Sequence, residues 1–216
     1  MACIHKFHEW LDLDRINFQP STLIVGTFNP SWPIHNNNSD WFYGRTHDLN
    51  GNQNNNFWEV LPRLYGLDSL INANADDWKR FCLNQSIAIT DIINSVNDAN
   101  EQNENHERMM GSFKDDDLSE SFYDFKITNI VGILRRYPTI THVYVTRSIS
   151  QTYWKNVFYP IRRYCENFGV RLTPLLTPSG YAYIQQGTYN RQNPDNRLNL
   201  PDYILMRWRE VWHQIE

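Results

Sequence analysis

An amide placed where a buried strand runs out can hold a ligand or a water, and Asn29 has such a place. The stretch Leu23-Ile24-Val25-Gly26-Thr27-Phe28-Asn29-Pro30-Ser31 is a short apolar run stopped by glycine, then an amide and a proline. Three successive apolar residues, two of them β-branched, predict a buried central strand of a parallel sheet. Open α/β sheets bind ligands in the crevice beyond the carboxyl ends of such strands, which puts Asn29 beside a crevice. The same Asn-Pro pair also suits a plain turn. A second amide cluster, Asn54-Asn55-Asn56, leads into Phe57-Trp58-Glu59-Val60-Leu61. There an Asn can cap a helix whose unpaired backbone donors lend positive character to the space ahead of it. A third polar turn, Thr177-Pro178-Ser179-Gly180-Tyr181-Ala182, follows the apolar run from Val170 to Leu176.

The elements that must hold these turns can be read in order. Residues 1–20 predict a short amphipathic helical lead-in, with Phe7, Trp10 and Leu11 on one face. His5 and His8 lie three apart and lack nearby partners for a metal, which favours a solvated helix face. The long polar segment from Pro33 to Asn56 carries the aromatic knot Trp41-Phe42-Tyr43-Gly44, and a loop of that length is usually functional or disordered. A helix follows with Trp58, Leu61, Leu64 and Tyr65 as its buried stripe, then a short helix over 76–84 and a second buried strand from Ile87 to Ile93. Residues 94–120 are polar and acidic, including Asp115-Asp116-Asp117, and read as a mobile surface excursion or a cation-binding run. Phe125 to Tyr137 predicts a helix stopped by Pro138, His142 to Thr146 a third strand, and 149–168 a helix that Pro160 should kink or restart. Val170 to Leu176 is the fourth strand, and Pro201 to Ile215 the closing helix. Strands alternating with helices predict a parallel sheet whose first and fourth strands exit on the same side.

Composition narrows the function classes. The 216 residues suit one well-buried domain. No apolar stretch approaches the roughly 20 residues that span a bilayer, and the N-terminus lacks the pattern of a signal peptide, so a cytoplasmic protein with no membrane association is expected. Cys3, Cys82 and Cys165 are scattered and offer neither a disulfide framework nor a metal site. Aromatic residues make up 14% of the chain, with 8 Trp and 12 Tyr, and such flat surfaces fill cores or stack on splayed bases. The net charge of −4 argues against a general polyanion binder. Its distribution is uneven: residues 1–125 hold 8 Lys and Arg against 19 Asp and Glu, and residues 126–216 hold 12 against 5. The basic half includes Arg147, Arg191 and Arg197, which either meet phosphates or form a solvated surface.

The three turns, in this order, resemble the uracil-DNA glycosylase superfamily, most closely its mismatch-specific uracil and hypoxanthine branches. Gly26 to Ser31 is similar to the family's glycine-led loop containing proline. Tyr43-Gly44 with Asn55-Asn56-Phe57-Trp58 matches an aromatic residue ahead of an Asn-x-Phe-Trp helix start, and Pro178-Ser179-Gly180-Tyr181 resembles a Pro-Ser-Gly motif followed by a wedge. The likeness covers most of the chain, including Asp91 after the second apolar strand. One extra residue separates Gly26 from Pro30, and Thr46 to Asn54 is inserted where the family has a compact His-Pro turn.

The resemblance implies a single α/β domain over 1–216: three layers, with a central four-stranded parallel sheet flanked by helices. It also implies a DNA glycosylase that hydrolyses the N-glycosidic bond of a flipped uracil or hypoxanthine, with no metal or other cofactor. Damaged DNA would be the partner, with no obligate protein partner. Positive charge then builds on the sugar and negative charge on the departing base, so amides that orient water or stabilise the base supply the catalysis. By resemblance Asn55 is the first candidate and Asn29 the second. Tyr43 would stack on the base, with Gly26 and Phe28 completing its pocket. Ser179 and Gly180 would hold the backbone phosphate, Tyr181 would wedge into the duplex, and Arg147 and Arg191 would contact DNA. The alternative is a protein of the same fold that binds nucleic acid or senses damaged bases without catalysis.

Overall fold

In the computed structural model, which describes residues 2–34, 38–150 and 152–213, the strands in chain order are β1 (Cys3–Ile4), β2 (Thr22–Gly26), β3 (Ile87–Asp91), β4 (Ile93–Val96), β5 (Phe125–Ile127), β6 (His142–Val145) and β7 (Arg171–Pro174). The helices are α1 (Phe57–Leu64), α2 (Ala75–Asn84), α3 (Glu104–Ser112), α4 (Asp115–Ser121), α5 (Ile130–Arg136), α6 (Thr152–Phe168), α7 (Tyr183–Gln192) and α8 (Leu200–Arg209). Four strands form a parallel sheet in the order β3-β2-β6-β7. The fold is α/β, as the alternation of strands and helices predicts.

Side-chain alternation along β2 fixes the layers, because successive residues of a strand face opposite sides. Leu23 and Val25 join Val143 and Val145 of β6 in a core with Ile130, Ile133, Trp154 and Phe158 of α5 and α6. Ile24 faces the other way and packs with Ile89 and Tyr144 against Trp58, Phe81 and Trp208 of α1, α2 and α8. Both faces of the sheet are therefore covered, which is why its strands read as continuous apolar runs. Gly26 pairs with Asp91 at the carboxyl ends of β2 and β3, and Val145 with Pro174 at those of β6 and β7. The loops beyond those ends share one edge of the sheet.

Several segments differ from expectation. The lead-in is a two-residue strand, a turn and a single 3-10 turn over His8–Trp10. His5 is fully buried rather than solvated. The apolar run from Ile87 to Ile93 is two strands: β3 stays in the parallel sheet, and β4 leaves it to pair antiparallel with β1 and β5 in a three-stranded sheet. The beginning of the segment read as a helix from Phe125 is β5, and α5 starts only where Asn129 accepts a hydrogen bond from the Gly132 amide. The excursion over 94–120 contains α3 and most of α4, anchored by buried Met110 and Leu118. The helix α6 runs on through Pro160, which sits on its exposed face where water can meet the carbonyl that proline leaves unpaired. The helix α7 had no counterpart among the expected elements, since it has no buried stripe. The closing helix is capped by Asn199 and ends at Arg209; residues 214 and 215 of the expected helix lie outside the described residues, as do 35–37 of the long polar loop.

Candidate functional site

The loops after β2, β6 and β7 and the N-terminus of α1 surround an open cavity of about 300 Å³. Phe28, Asn29, Tyr43, Asn55, Ser179 and Tyr181 all line it, together with Arg147. Two hydrogen-bonded loops bring the polar turns together. Asn55 forms an isolated bridge with Ser179, and both the backbone amide and the side-chain amide of Asn56 donate to the Pro178 carbonyl, at 2.8 and 2.9 Å. Asn55 Oδ1 accepts from the Phe57 amide at 2.8 Å, so this carbonyl holds the first turn of α1. Asn56 is the residue at the helix cap position, yet its side chain makes no capping bond to α1.

The floor of the cavity is polar and tightly tied. Asp91 Oδ2 accepts from Asn29 Nδ2 at 3.1 Å and meets His5 Nε2 at 2.7 Å. The other imidazole nitrogen of His5, Nδ1, accepts from the Phe7 amide at 2.9 Å. That acceptor role leaves the proton on Nε2, so a neutral His5 donates to the Asp91 carboxylate. The bond from Nδ2 to Asp91 fixes the plane of the Asn29 amide, which still has its carbonyl and a second N–H to offer a ligand. Gly26 is close-packed here: a Cβ would lie far inside contact distance of Asp91 Oδ1 and 2.6 Å from the Tyr43 hydroxyl. The register that places Gly26 beside Asp91 therefore requires a residue with no side chain.

Tyr43 takes a left-handed backbone conformation at φ 57°, a costly choice outside glycine that persists where surroundings enforce it. Its ring stacks on Phe57 at 3.8 Å with 5° between planes, and its hydroxyl bonds Thr146 Oγ1 at 2.8 Å. Burial, then the nearby charges of Asp91 and Asp115, push this phenol well above its ordinary range, so it stays neutral.

The acidic excursion forms another wall. Asp115 Oδ2 accepts from Thr27 Oγ1 at 2.9 Å and lies 2.7 Å from Arg147 Nη1. Burial raises the Asp115 carboxyl above the ordinary aspartate range, while Arg147 and Thr27 pull the other way. Arg147 is 7% exposed, lies 3.6 Å over the Trp154 ring and has Asp116 at 3.9 Å. Next to Asp115 in the chain, the Phe113 ring also lines the cavity and is covered by the Arg45 guanidinium at 3.4 Å; burial lowers Arg45 to about 10, so it remains charged at neutral pH.

Of the residues singled out from the sequence, Gly26 lies beneath the cavity wall, and Gly180 begins the 3-10 turn that carries Tyr181. Tyr181 is 57% exposed at the lip, followed by exposed Tyr183 and Ile184. Arg191, on α7, and Arg197 are exposed and do not line the cavity; Arg191 bonds Thr188 at 2.9 Å. Sequence reasoning did not place His5, Asp115 or Thr146 at this site, having read His5 as part of a solvated face and Asp115 as part of a surface or cation-binding run. Asp91 carried a usable signal, an acid ending an otherwise apolar strand, and Asp115 belonged to a visible acidic run. Nothing local in the sequence marked His5. Among the described residues no helix is long and apolar enough to cross a membrane.

No protein-family profile matches the chain, and no curated protein does. Among solved structures, the chain is similar to the solution NMR structure of a "putative Uracil DNA glycosylase" from Methanosarcina acetivorans, at 16% identity over 92% of this chain and 94% of that one, with a TM-score of 0.49. A likeness this loose carries no argument about activity.

Proposed function

We propose that the protein is a monofunctional DNA glycosylase that removes a deaminated base, uracil or hypoxanthine, after flipping it into the cavity between β2, β6, β7 and α1. The observation that carries this reading is the convergence of three sequence-distant turns, around Asn29, Asn55 and Ser179, on one cavity floored by an Asp91–Asn29 hydrogen bond. A cavity of about 300 Å³ is at the small end for ligand sites and suits a single extruded nucleoside.

In the proposed mechanism Tyr43, backed by Phe57, presents a fixed aromatic surface to the base. The Asn29 carbonyl orients the attacking water, because Asp91 fixes the opposite end of that amide. The Asp91 carboxylate also places negative charge near the sugar as it becomes cationic, a charge already in position before reaction. Asn55, whose carbonyl serves α1, holds the α1 and Ser179 loops together and directs its amide group to the departing base. Ser179 engages a flanking phosphate, and Tyr181 occupies the stack that the base leaves.

Alkali-induced strand scission on duplexes carrying uracil, hypoxanthine or xanthine tests the reading, with binding to the same duplexes measured in parallel. Cleavage at the lesion is the expected result. Selective binding with no cleavage would instead establish a sensor of damaged bases.

A further inference from the structure

We infer that Arg45, stacked on Phe113, is a clamp for one of the two phosphates that bracket the flipped nucleotide. The inference rests on the glycosylase reading of the cavity and adds a backbone contact from outside the three turns that define the rest of the site.

Arg45, Lys114 and Arg147 are the cations among the residues that line the cavity. Arg147 is already neutralised by the wall: Asp115 lies at 2.7 Å and Asp116 at 3.9 Å, and both carboxylates support its charge against the pull of burial. Lys114 is exposed. Arg45 is half-buried, and among the described residues its guanidinium has neither an ion pair nor a hydrogen bond; burial lowers its affinity for a proton, and no acid offsets that loss. A cation that has given up part of its water without gaining a carboxylate is stabilised by an anion that arrives with the ligand.

The chain on both sides of Arg45 fixes where it stands. Tyr43, two residues earlier, is held by Phe57 and Thr146. The Thr46 carbonyl accepts from the Asn54 and Asn55 amides, at 2.7 and 3.3 Å. The inserted segment therefore folds back on itself, with His47 bridged to Gln53, and ties Arg45 to the loop that meets Ser179. Across from it α3 ends on Phe113 at φ 53°, a left-handed position that glycine fills without strain. Phenylalanine supplies a ring there, and the guanidinium lies 3.4 Å above it. Contact through the flat face uses none of the N–H donors, which remain as a planar fork for two oxygens of one phosphate. A cavity of about 300 Å³ takes one nucleoside, so the phosphates on either side of that nucleoside are the anions nearest to residues lining it. Ser179 takes one of them in the proposed mechanism, which leaves the other for Arg45.

The test reads affinity for a uracil-containing duplex against salt concentration, with the unmodified protein, the neutral variants Arg45→Met and Arg45→Gln, and Arg45→Lys; thermal melts check folding, and either folded neutral variant suffices. Loss of one phosphate contact should weaken the neutral variants by on the order of tenfold and flatten the slope of log affinity against log salt by about 1, whereas Arg45→Lys should keep the slope and lose part of the affinity. A single uncharged methylphosphonate in place of either phosphate bracketing the uracil locates the contact. At one of the two positions it should weaken binding by the unmodified protein yet leave a folded neutral variant unchanged to within about twofold. An unaltered salt slope in a folded neutral variant, or methylphosphonate losses equal in variant and unmodified protein, would overturn the inference and leave Arg45 a stacking partner of Phe113. So would an unmodified protein that tolerates both replacements. Excision is followed on the same duplexes: if none is cleaved, the glycosylase reading fails while the slope and the methylphosphonates still decide the clamp, and if cleavage occurs without their coupling to Arg45, the clamp fails and the reading stands. An unmodified protein that neither binds nor cleaves the duplex rejects both.

Discussion

At the scale of single residues, the two candidate amides differ in what their carbonyls do. Asn55 Oδ1 is bound to the Phe57 amide, whereas the Asn29 amide nitrogen is held by Asp91. Asn29→Ala should therefore lower single-turnover excision by on the order of a hundredfold or more while duplex binding persists, by analogy with loss of one preorganised transition-state contact. Asn55→Ala should cost about 1 kcal/mol of stability as a lost cap, read from a denaturant melt, together with a smaller loss of turnover. The reverse order of kinetic losses would move the water to Asn55. Gly26→Ala makes a separate prediction, because its methyl would collide with Asp91 and the Tyr43 hydroxyl. Both neighbours are tied down, to His5 and Asn29 and to Thr146. The substitution should destabilise the fold by about 1–3 kcal/mol and abolish turnover, and unchanged activity would show that the floor can shift freely.

At the scale of elements, the short 3-10 turn Gly180–Ala182 and the start of α7 form an exposed apolar ridge of Tyr181, Tyr183 and Ile184 beside the cavity. The helix α7 buries none of its residues, so the ridge is carried by a surface element rather than by core packing. Extruding a nucleotide costs a few kcal/mol, least when the base is mismatched or already single-stranded. A wedge that fills the gap offsets part of that cost. Tyr181→Ala is therefore expected to slow excision most from a uracil·adenine pair, less from uracil·guanine, and least from single-stranded DNA. Single-turnover rates on the three substrates check this, and equal losses on all three would assign Tyr181 to binding or folding. The excursion carrying α3 and α4 shows why a polar segment is a poor guide to position. It buries few residues, Met110 and Leu118 among them, but these are enough to bring Asp115 against Thr27 and Arg147.

At the scale of the whole molecule, the chain end packs on the sheet through His213, whose ring stacks on His142 at 4.4 Å. The Tyr144 hydroxyl accepts from the His213 amide at 2.7 Å and shares a hydrogen bond with His213 Nδ1, 3.1 Å away. Burial first, and nearby positive charge second, lower both histidines below 6.5. The folded state thus binds fewer protons than the unfolded one, so this stabilisation is complete above pH 6.5 and is lost as pH falls through the lower folded values. The melting temperature should decline on acidification from pH 7.5 toward 5, and a His142→Gln/His213→Gln variant should flatten that part of the profile. An identical decline in the variant would place the effect elsewhere. The sequence by itself determined the parallel strands and the helices on both faces, since Leu23 to Val25, Ile87 to Ile89 and Val143 to Val145 meet apolar neighbours on both faces of the sheet and read so wherever they stand. It also marked the three polar turns, because glycine, proline and asparagine act on the local backbone. Tertiary structure alone decided the split between β3 and β4, the burial of His5, the bond from Asn29 to Asp91 and the seat of Asp115 against Arg147. Each depends on partners distant in the chain, 86 residues apart for His5 and Asp91, and local preference carries no record of which distant partner a side chain will meet.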